Sequence, residues 1–225
     1  MVVLAVDTSG RHGSVALCRG DARNFELLGL RSLEGGTYSA RLIPAISNLL
    51  PSAGLTKSQI EGLVVVDGPG SFTGLRVGLS TVKALCEILQ RPLATVSMLE
   101  ALAITYGNEG ETVTAVLDAG RGEVYVGEYR VGGECASLVE QSIEKLEVFV
   151  KRTQSIQSRV VTAFPELAGA LAASLAMATV DALEADDIAR IGLRKLLAGE
   201  TADPRTLDAN YIRRSDAELF SLPKH

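Results

Sequence analysis

One Gly-rich stretch, residues 68–80 with the sequence GPGSFTGLRVGLS, places the strongest constraint on how this chain folds. An apolar run over residues 62–66 precedes it and predicts a buried strand, and the pattern over residues 75–90 predicts a helix. A Gly-rich turn between a strand and a helix often binds phosphate on the N–H groups of the helix. However, the stretch lacks the Lys-Ser/Thr pair of a P-loop, and its glycine spacing differs from that of a dinucleotide-binding turn. It is therefore a weak nucleotide-binding signal.

The helix predicted over residues 75–90 carries no charge on about two thirds of its circumference. A sheet can cover its stripe of leucine and valine side chains, but a shallow strip of Gly74, Gly78 and Thr81 needs another helix close to its backbone. Either the same chain or a partner chain can supply that helix, and the sequence leaves both open. In the second case, a leucine at Gly74 or Gly78 should abolish pairing while the chain stays folded.

The composition is that of an ordinary globular protein. Hydrophobic residues make up 47% and charged residues 22% of the 225 residues, which is enough for a substantial core. No apolar run reaches the ~18 residues of a membrane span, and the first residues do not resemble a signal peptide. The three cysteines, Cys18, Cys86 and Cys135, lie far apart, which argues for a reducing compartment. We therefore expect a cytoplasmic protein that does not bind membranes.

The charge balance argues against a protein that holds nucleic acid by itself. The net charge is −5, aromatic residues make up 4% and Trp is absent, whereas such proteins usually have a basic surface and stacking aromatics. Arg213 and Arg214, near the end of the chain, are the one basic pair that stands out. If RNA is the final substrate, we expect another subunit to hold most of it.

The order of the predicted strands and helices indicates two related halves. Three antiparallel strands are followed by helix, strand, helix and strand within residues 1–97, which is the order of a ribonuclease H-like half-domain. The apolar run that ends at Asp7 is repeated by the run that ends at Asp118. We predict an α/β fold of two ribonuclease H-like half-domains in the ASKHA (actin, Hsp70 and sugar kinase) architecture, with a reduced second half. The predicted second domain spans residues 98–182, and a final helix and tail span residues 183–225.

The GPGSFTGLRVG run, the VDTS sequence at residues 6–9 and the LDAGRGEVY sequence at residues 117–125 resemble the TsaB (YeaZ) family, and the resemblance covers nearly the whole chain. That family is a non-catalytic partner in the machinery that makes tRNA threonylcarbamoyladenosine (t6A). The resemblance implies a scaffold and activating subunit that pairs with the catalytic subunit TsaD and helps the ATPase TsaE to dock. It also implies an ability to form a homodimer, contact with tRNA through the complex, and a late helix that packs back on the first domain.

The helices predicted over residues 37–50 and 71–90 should lie side by side on one face of the first sheet. If both keep exposed small or apolar residues, a second protein with the same platform completes a four-helix bundle and buries about 800 Å² per partner. In the resembled family, the protein pairs with TsaD and with itself in this way. Relatives often have His where this chain has Tyr38, which leaves the role of that side chain open. The predicted interface residues are Tyr38, Leu42, Ile46, Leu49, Phe72, Thr73, Gly74, Val77, Gly78, Thr81 and Lys83.

Two strand-end aspartates are the candidates for a nucleotide site. In nucleotide-binding proteins of two such halves, a carboxylate from each half positions Mg²⁺ or water, and Asp7 and Asp118 stand at these places with Ser9 and Arg121 near them. The second half is short and has no late pair of glycines to receive adenine. We therefore expect a vestigial site in which each aspartate fixes its own turn. The alternative is a small ATP-dependent kinase or hydrolase that uses Asp7 and Asp118.

Metal and protease chemistry have little support in the sequence. The two histidines, His12 and His225, lie at opposite ends of the chain, and no Cys or His pair has the spacing of metal ligands. No histidine lies near a serine that could act as a nucleophile. We predict no catalytic residue, no metal site and no cofactor of the chain's own, with ATP and Mg²⁺ entering only at the level of a complex.

Overall fold

The chain forms two five-stranded sheets, and the computed structural model describes residues 1–153, 158–171, 177–210 and 212. The first sheet has the order β3-β2-β1-β4-β5 and the second has the order β10-β9-β6-β7-β8. The strands of the first sheet are β1 (Val2–Asp7), β2 (His12–Gly20), β3 (Phe25–Glu34), β4 (Gly62–Gly68) and β5 (Leu93–Ser97). Those of the second are β6 (Thr112–Gly120), β7 (Glu123–Gly132), β8 (Cys135–Lys145), β9 (Arg159–Thr162) and β10 (Met177–Thr179).

The two sheets have the same topology. In the first, β1, β2 and β3 pair antiparallel, while β4 and β5 continue from β1 in parallel. In the second, β6, β7 and β8 pair antiparallel, while β9 and β10 continue from β6 in parallel. The predicted α/β fold of two ribonuclease H-like halves in the ASKHA architecture is confirmed, and the short β9 and β10 make the second half the reduced one.

Six helices and one 3₁₀ turn connect these strands within the described residues. The 3₁₀ turn, Lys57–Gln59, lies between α1 and β4. The helices are α1 (Tyr38–Ser52), α2 (Phe72–Leu89), α3 (Met98–Tyr106), α4 (Leu146–Thr153), α5 (Pro165–Leu171) and α6 (Ala185–Ala198). Within the part of the chain that the structure describes, no helix is both long enough and apolar enough to cross a bilayer.

Helices cover both faces of the first sheet. Every residue of β1 is buried, which explains why its sequence, VVLAVD, is an almost unbroken apolar run rather than an alternating one. Along β4, Gly62 and Val64 contact Leu196 and Gly192 of α6. Because successive side chains of a strand point to opposite faces, the residues between them face α1 and α2. Helix α6 therefore lies on one face of this sheet, and α1 and α2 lie side by side on the other.

Helix α3 joins the two halves. It contacts β4 and β5 of the first sheet and β6, β7 and β8 of the second. Its apolar residues Leu99, Leu102 and Ala103 are fully buried in one hydrophobic core that continues from the first sheet into the second. The burial of α3 against both sheets fixes how they lie against each other.

Two details of the helices differ from what the sequence pattern alone indicates. Helix α2 begins at Phe72, within the range 71–90 but before the apolar pattern that starts at residue 75, so the first glycine of the shallow strip lies inside the helix. Helix α1 runs without a break through Pro44, although a proline inside a helix usually kinks it, and includes Pro51 as well. The side chain of Pro44 is exposed.

Candidate protein-docking face

The turn after β1 is held by Asp7. Its carboxylate is buried, and Oδ1 accepts the backbone N–H of Ser9 at 2.8 Å and the Ser9 hydroxyl at 2.7 Å. Burial raises the pKa of Asp7 above its ordinary value, and the two hydrogen bonds from Ser9 oppose that rise. The side chain therefore fixes the backbone of its own turn.

Helix α2 starts against that turn. The N–H of Ser71 donates to the carbonyl of Ser9 at 2.6 Å, and the hydroxyl of Ser71 caps the helix by accepting the N–H of Gly74 at 3.3 Å. The hydroxyl of Thr8 donates to the carbonyl of Gly74 at 2.8 Å in a buried position. The GPGSF stretch thus joins the end of β4 to the end of β1, and it brings the backbones of α2 and β1 into direct contact.

The small strip on α2 is covered by the chain itself. A Cβ atom at Gly74 would collide with the carbonyl oxygen of Thr8, and one at Gly78 would collide with the Thr8 hydroxyl. The hypothesis that Gly74 and Gly78 face a partner helix is therefore wrong. Their missing side chains make room for the end of β1, which the helical pattern alone does not reveal.

Four other predicted interface residues belong to the chain's own core. Tyr38, Leu42, Ile46 and Leu49 are all at most 5% exposed and face the first sheet. The Tyr38 hydroxyl donates to the carbonyl of Gly10 at 2.8 Å, and burial, together with the nearby charge of Asp7, raises the Tyr38 pKa to about 12. The prediction that these four residues contact a partner is wrong because the apolar stripe of α1 is the one that the sheet covers.

Lys83 is also engaged within the chain. Its Nζ atom, which is half-buried, donates to the carbonyl of Leu207 in the segment that follows α6. Its predicted place at a partner interface stays a prediction. Of the other predicted residues, Thr73 is exposed, Phe72, Val77 and Thr81 are half-buried, and the Arg76 guanidinium lies 3.7 Å from the centre of the Phe72 ring.

Exposed apolar residues nevertheless remain on α1 and α2. Ile88 is 70% exposed and Ile43 is 50% exposed, and both rank among the exposed large hydrophobic side chains of the described chain. Ile88 borders the small strip on the helical wheel, so the sequence did contain a signal for it. We define the docking face as the exposed and half-buried small or apolar residues of these helices: Ala40, Ile43, Pro44, Phe72, Thr73, Val77, Thr81, Ala84 and Ile88.

The second aspartate forms a similar turn in a different setting. Asp118 is exposed, and its Oδ1 accepts the N–H of Gly120 at 2.9 Å. The backbone then passes through left-handed conformations at Gly120, Arg121 and Gly122, with φ values of 73°, 57° and 74°. Burial, with the Asp118 charge, raises the pKa of Tyr125.

An open groove of about 600 Å³ lies beside the first turn. Its ionisable lining is mainly acidic, with Glu34 and Glu184 against His12. The hydroxyl of Ser14, which also lines the groove, accepts the N–H of Ala185 at 2.8 Å and so caps α6. Because two carboxylates border this groove, its charge does not suit a phosphate group.

One half-buried polar cluster has no counterpart in the sequence-based predictions. On α6, Lys195 donates to Glu100 Oε2 of α3 at 2.7 Å and to the carbonyl of Thr95 at 3.2 Å. Asp67, at the end of β4, has a buried Oδ1 with no hydrogen-bond partner among the described residues, and burial raises its pKa. These residues lie far apart in sequence, so no local pattern marks them. They join the first sheet to α3 and α6.

Metal ligands do not cluster in the part of the chain that the structure describes: no three or more His, Cys, Asp or Glu side chains are placed to hold one ion. Arg213, Arg214 and His225 lie outside the described residues. Their predicted roles stay predictions.

Comparison with known proteins supports the resemblance seen in the motifs. The family model described as "TsaD: tRNA N6-adenosine threonylcarbamoyltransferase" matches residues 35–195, well over half of the chain. The tRNA threonylcarbamoyladenosine biosynthesis protein TsaB of Escherichia coli (strain K12) is 29% identical over 229 residues, covering 96% of each chain. TsaB of Bacillus subtilis (strain 168) is 35% identical over 130 residues, covering 58% of this chain and 56% of its own length.

A solved structure agrees on the fold. YeaZ from Pseudomonas aeruginosa superposes with a TM-score of 0.72 at 24% identity, covering 92% of this chain and 98% of its own. The motifs, the family model and the TsaB relatives all point the same way. The chain therefore belongs to the family that the TsaD model describes, and within it to the TsaB (YeaZ) proteins.

Proposed function

We propose that the chain acts in the biosynthesis of tRNA threonylcarbamoyladenosine as a non-catalytic scaffold and activating subunit, and that it pairs with a TsaD-like catalytic chain through the docking face. Membership of the TsaB family and the names of the Escherichia coli and Bacillus subtilis relatives support a role in this pathway. The pairing and the scaffold role are supported by the geometry of the first half.

The exposure of Ile43 and Ile88 carries the proposal. They lie on the neighbouring helices α1 and α2, which cover one face of the first sheet, and the other residues of the docking face are by definition small or apolar. Apolar surface left in water costs about 25 cal/mol per Å². A partner that covers the docking face recovers part of this free energy, and only the surplus over the cost of association stabilises the complex. A chain of the same architecture has the same two helices in the same place, so the two pairs can pack as a four-helix bundle.

The hydrogen bonds in the two turns favour a partner, rather than this chain, as the catalytic subunit. Asp7 is buried and directs its Oδ1 toward Ser9, and Asp118 directs its Oδ1 toward Gly120. Both carboxylates therefore use hydrogen bonds within their own turns. The acidic border of the groove beside the first turn repels phosphate. These contacts favour the scaffold over the alternative, an ATP-dependent kinase or hydrolase.

Other partners follow from the same complex. We propose that the paired surface helps a TsaE-like ATPase to dock and that tRNA is reached through the complex, where ATP and Mg²⁺ also enter. The net charge of −5 supports indirect rather than direct contact with RNA. A second copy of this chain is the competing occupant of the docking face.

The test is a mixing experiment on a sizing column with a purified TsaD-like protein. The parent chain should form a complex, and Ile88→Glu should weaken it at least about tenfold, because a charge would be buried at an apolar contact. Val148→Glu is the matched control, since Val148 is a 52% exposed apolar residue on α4, in the other half. It should pair like the parent.

Three results contradict the proposal. If the parent chain neither binds the TsaD-like protein nor changes its activity, the scaffold role is wrong. If Ile88→Glu and Val148→Glu pair equally well, the contact lies elsewhere on the chain. Self-association that Ile88→Glu abolishes, without any binding to the TsaD-like protein, would assign the docking face to a homodimer instead.

A further inference from the structure

We propose that residues 202–210, here named the strap, hold the start of α2 and thereby keep the docking face in the conformation that pairing requires. The strap follows α6 and returns across the first half to the GPGSF stretch. The consequence for pairing rests on the proposed function, whereas the effect on α2 is a property of the chain alone. Three contacts carry the inference.

The first contact is at the edge of the first sheet. Among the described residues, β5 is the last strand on its side of the sheet, so no described strand pairs with its outer backbone groups. The N–H of Ala202 donates to the carbonyl of Leu93 on β5 at 2.8 Å. The strap thus begins by covering part of a sheet edge that would otherwise be open.

The second contact ties the strap to the middle of α2. The ammonium group of Lys83 donates to the carbonyl of Leu207, and the Lys83 side chain is half-buried. Leu207 packs against the main hydrophobic core, and Ala209 is only 8% exposed. A hydrogen bond from a charged donor to a carbonyl is stronger than one from a neutral donor. The bond from Lys83 to Leu207 therefore favours one path for the strap.

The third contact fixes the turn before α2. The N–H of Asn210 donates to the carbonyl of Asp67 at 2.8 Å. A Cβ atom at Gly68 would lie 2.8 Å from the carbonyl oxygen of Asn210, and Gly68 has a φ of 141°. Only glycine combines this backbone conformation with so close an approach, so the sequence of the GPGSF stretch fits the presence of the strap.

These contacts hold α2 from two sides. On one side, Tyr38 of α1 approaches Gly74 and the end of β1 contacts the first turn of the helix. On the other, the strap holds Lys83 and the turn that begins at Asp67. A docking surface that is rigid before binding loses less conformational entropy when it binds. Release of the strap should therefore loosen the helix start and weaken pairing.

The experiment uses the full chain with Asn210→Pro, which removes the N–H donor to Asp67, and Asn210→Ala, which keeps it. Hydrogen exchange is measured at the amides of Ser71, Gly74 and Leu75, which are hydrogen-bonded at the helix start. Loss of one such backbone hydrogen bond changes an equilibrium about fivefold. We expect about fivefold faster exchange and about fivefold weaker binding of the TsaD-like protein in Asn210→Pro only.

A second pair of variants covers the case in which the proline variant does not fold. Lys83→Met removes the donor to the Leu207 carbonyl, and Lys83→Arg keeps a donor on a side chain of similar length. We expect Lys83→Met to raise exchange at the same amides, and Lys83→Arg to restore most of the protection. A purely local role for Lys83 would leave the exchange of Ser71 unchanged.

The outcomes separate the two proposals. If hydrogen exchange at the start of α2 is unchanged in both Asn210→Pro and Lys83→Met, the proposal that the strap holds α2 is wrong. Faster exchange with unaltered pairing overturns its link to docking. If the parent chain does not bind the TsaD-like protein at all, the proposed function is wrong, but the exchange measurements still decide whether the strap holds α2.

Discussion

The first strand of each half ends in an aspartate that bonds the backbone two residues further on. Asp7 accepts the N–H of Ser9 at 2.8 Å, and Asp118 accepts the N–H of Gly120 at 2.9 Å. The surroundings differ. The first turn is buried under α2, whereas Asp118 in the second turn is exposed, and no described atom lies within 4 Å of the Cβ positions of Gly120 and Gly122.

The difference lies in what approaches each turn. In the first half, Thr8 bonds the carbonyl of Gly74 and fills the space left by Gly74 and Gly78, so turn and helix form one packed unit. In the second half, Ala119 stands at the corresponding position, one residue after the aspartate. The same local motif is therefore part of the core in one half and a surface turn in the other.

The largest effect that distinguishes the turns is expected at Gly74. In Gly74→Ala, the new methyl group would collide with the carbonyl of Thr8, and neither backbone can move far because Leu75 and Ser71 are hydrogen-bonded around it. We expect the free energy of unfolding to fall by about 3 kcal/mol. Urea denaturation measures it.

Gly122→Ala is the matched change in the open turn. Within the described part of the chain no atom lies within 4 Å of the Cβ position, so the φ of 74° is what opposes the substitution, at about 1–2 kcal/mol. Equal destabilisation by the two substitutions would show that the first turn is not packed against α2 in solution. It would also reopen the earlier hypothesis that residue 74 tolerates a side chain and faces a partner.

Much of the fold could be predicted from the sequence because its signals are local. The apolar runs before Asp7 and Asp118 mark β1 and β6, and the GPGSF stretch marks the step from β4 to α2. Each of these patterns depends on residues close together in the chain. The repeat of the pattern then predicts the repeat of the topology, which the two sheets confirm.

The neighbours of α2 could not be predicted in the same way. A helical wheel gives the angle at which Gly74 and Gly78 lie, but not what lies across from them. The group that covers them, Thr8, is 66 positions earlier, and the group that holds Lys83 is 124 positions later. The apolar stripe of α1 was assigned to a partner for the same reason. Tertiary contacts of such separation leave no periodic signal.

A smaller effect is expected from the ionisation of Asp7. Burial raises its pKa, so between the ordinary carboxyl pKa, about 4, and the raised value the folded chain binds more protons than the unfolded chain. The free energy of unfolding therefore falls as pH rises through this window, by at most about 1.4 kcal/mol per pH unit. Above the window, the contribution of Asp7 to the free energy of unfolding no longer changes with pH. Asp7→Asn keeps an acceptor for the Ser9 N–H and removes the ionisation.

We expect Asp7→Asn to be more stable than the parent above that window, with the advantage disappearing below about pH 4. Asp118→Asn is the control, because it makes the same substitution at the corresponding, exposed aspartate of the second half. Denaturation midpoints over a pH series measure both. Burial also raises the pKa of Asp67. Because Asp67 is present in the parent and in both variants, its contribution cancels when their free energies of unfolding are subtracted. Parallel curves for the two variants would contradict the buried state of Asp7.

The smallest effect is expected from Mg-ATP. A phosphate held at either turn needs free backbone N–H groups, but those of Ser9 and Gly120 already donate to Asp7 and Asp118. Calorimetry at micromolar concentrations should therefore give the same trace, without binding heat, for the parent chain, Asp7→Asn and Asp118→Asn. Micromolar binding that Asp7→Asn abolishes would contradict this and make the buried turn a nucleotide site, because the Asp7 carboxylate would then have to leave Ser9 and serve Mg²⁺.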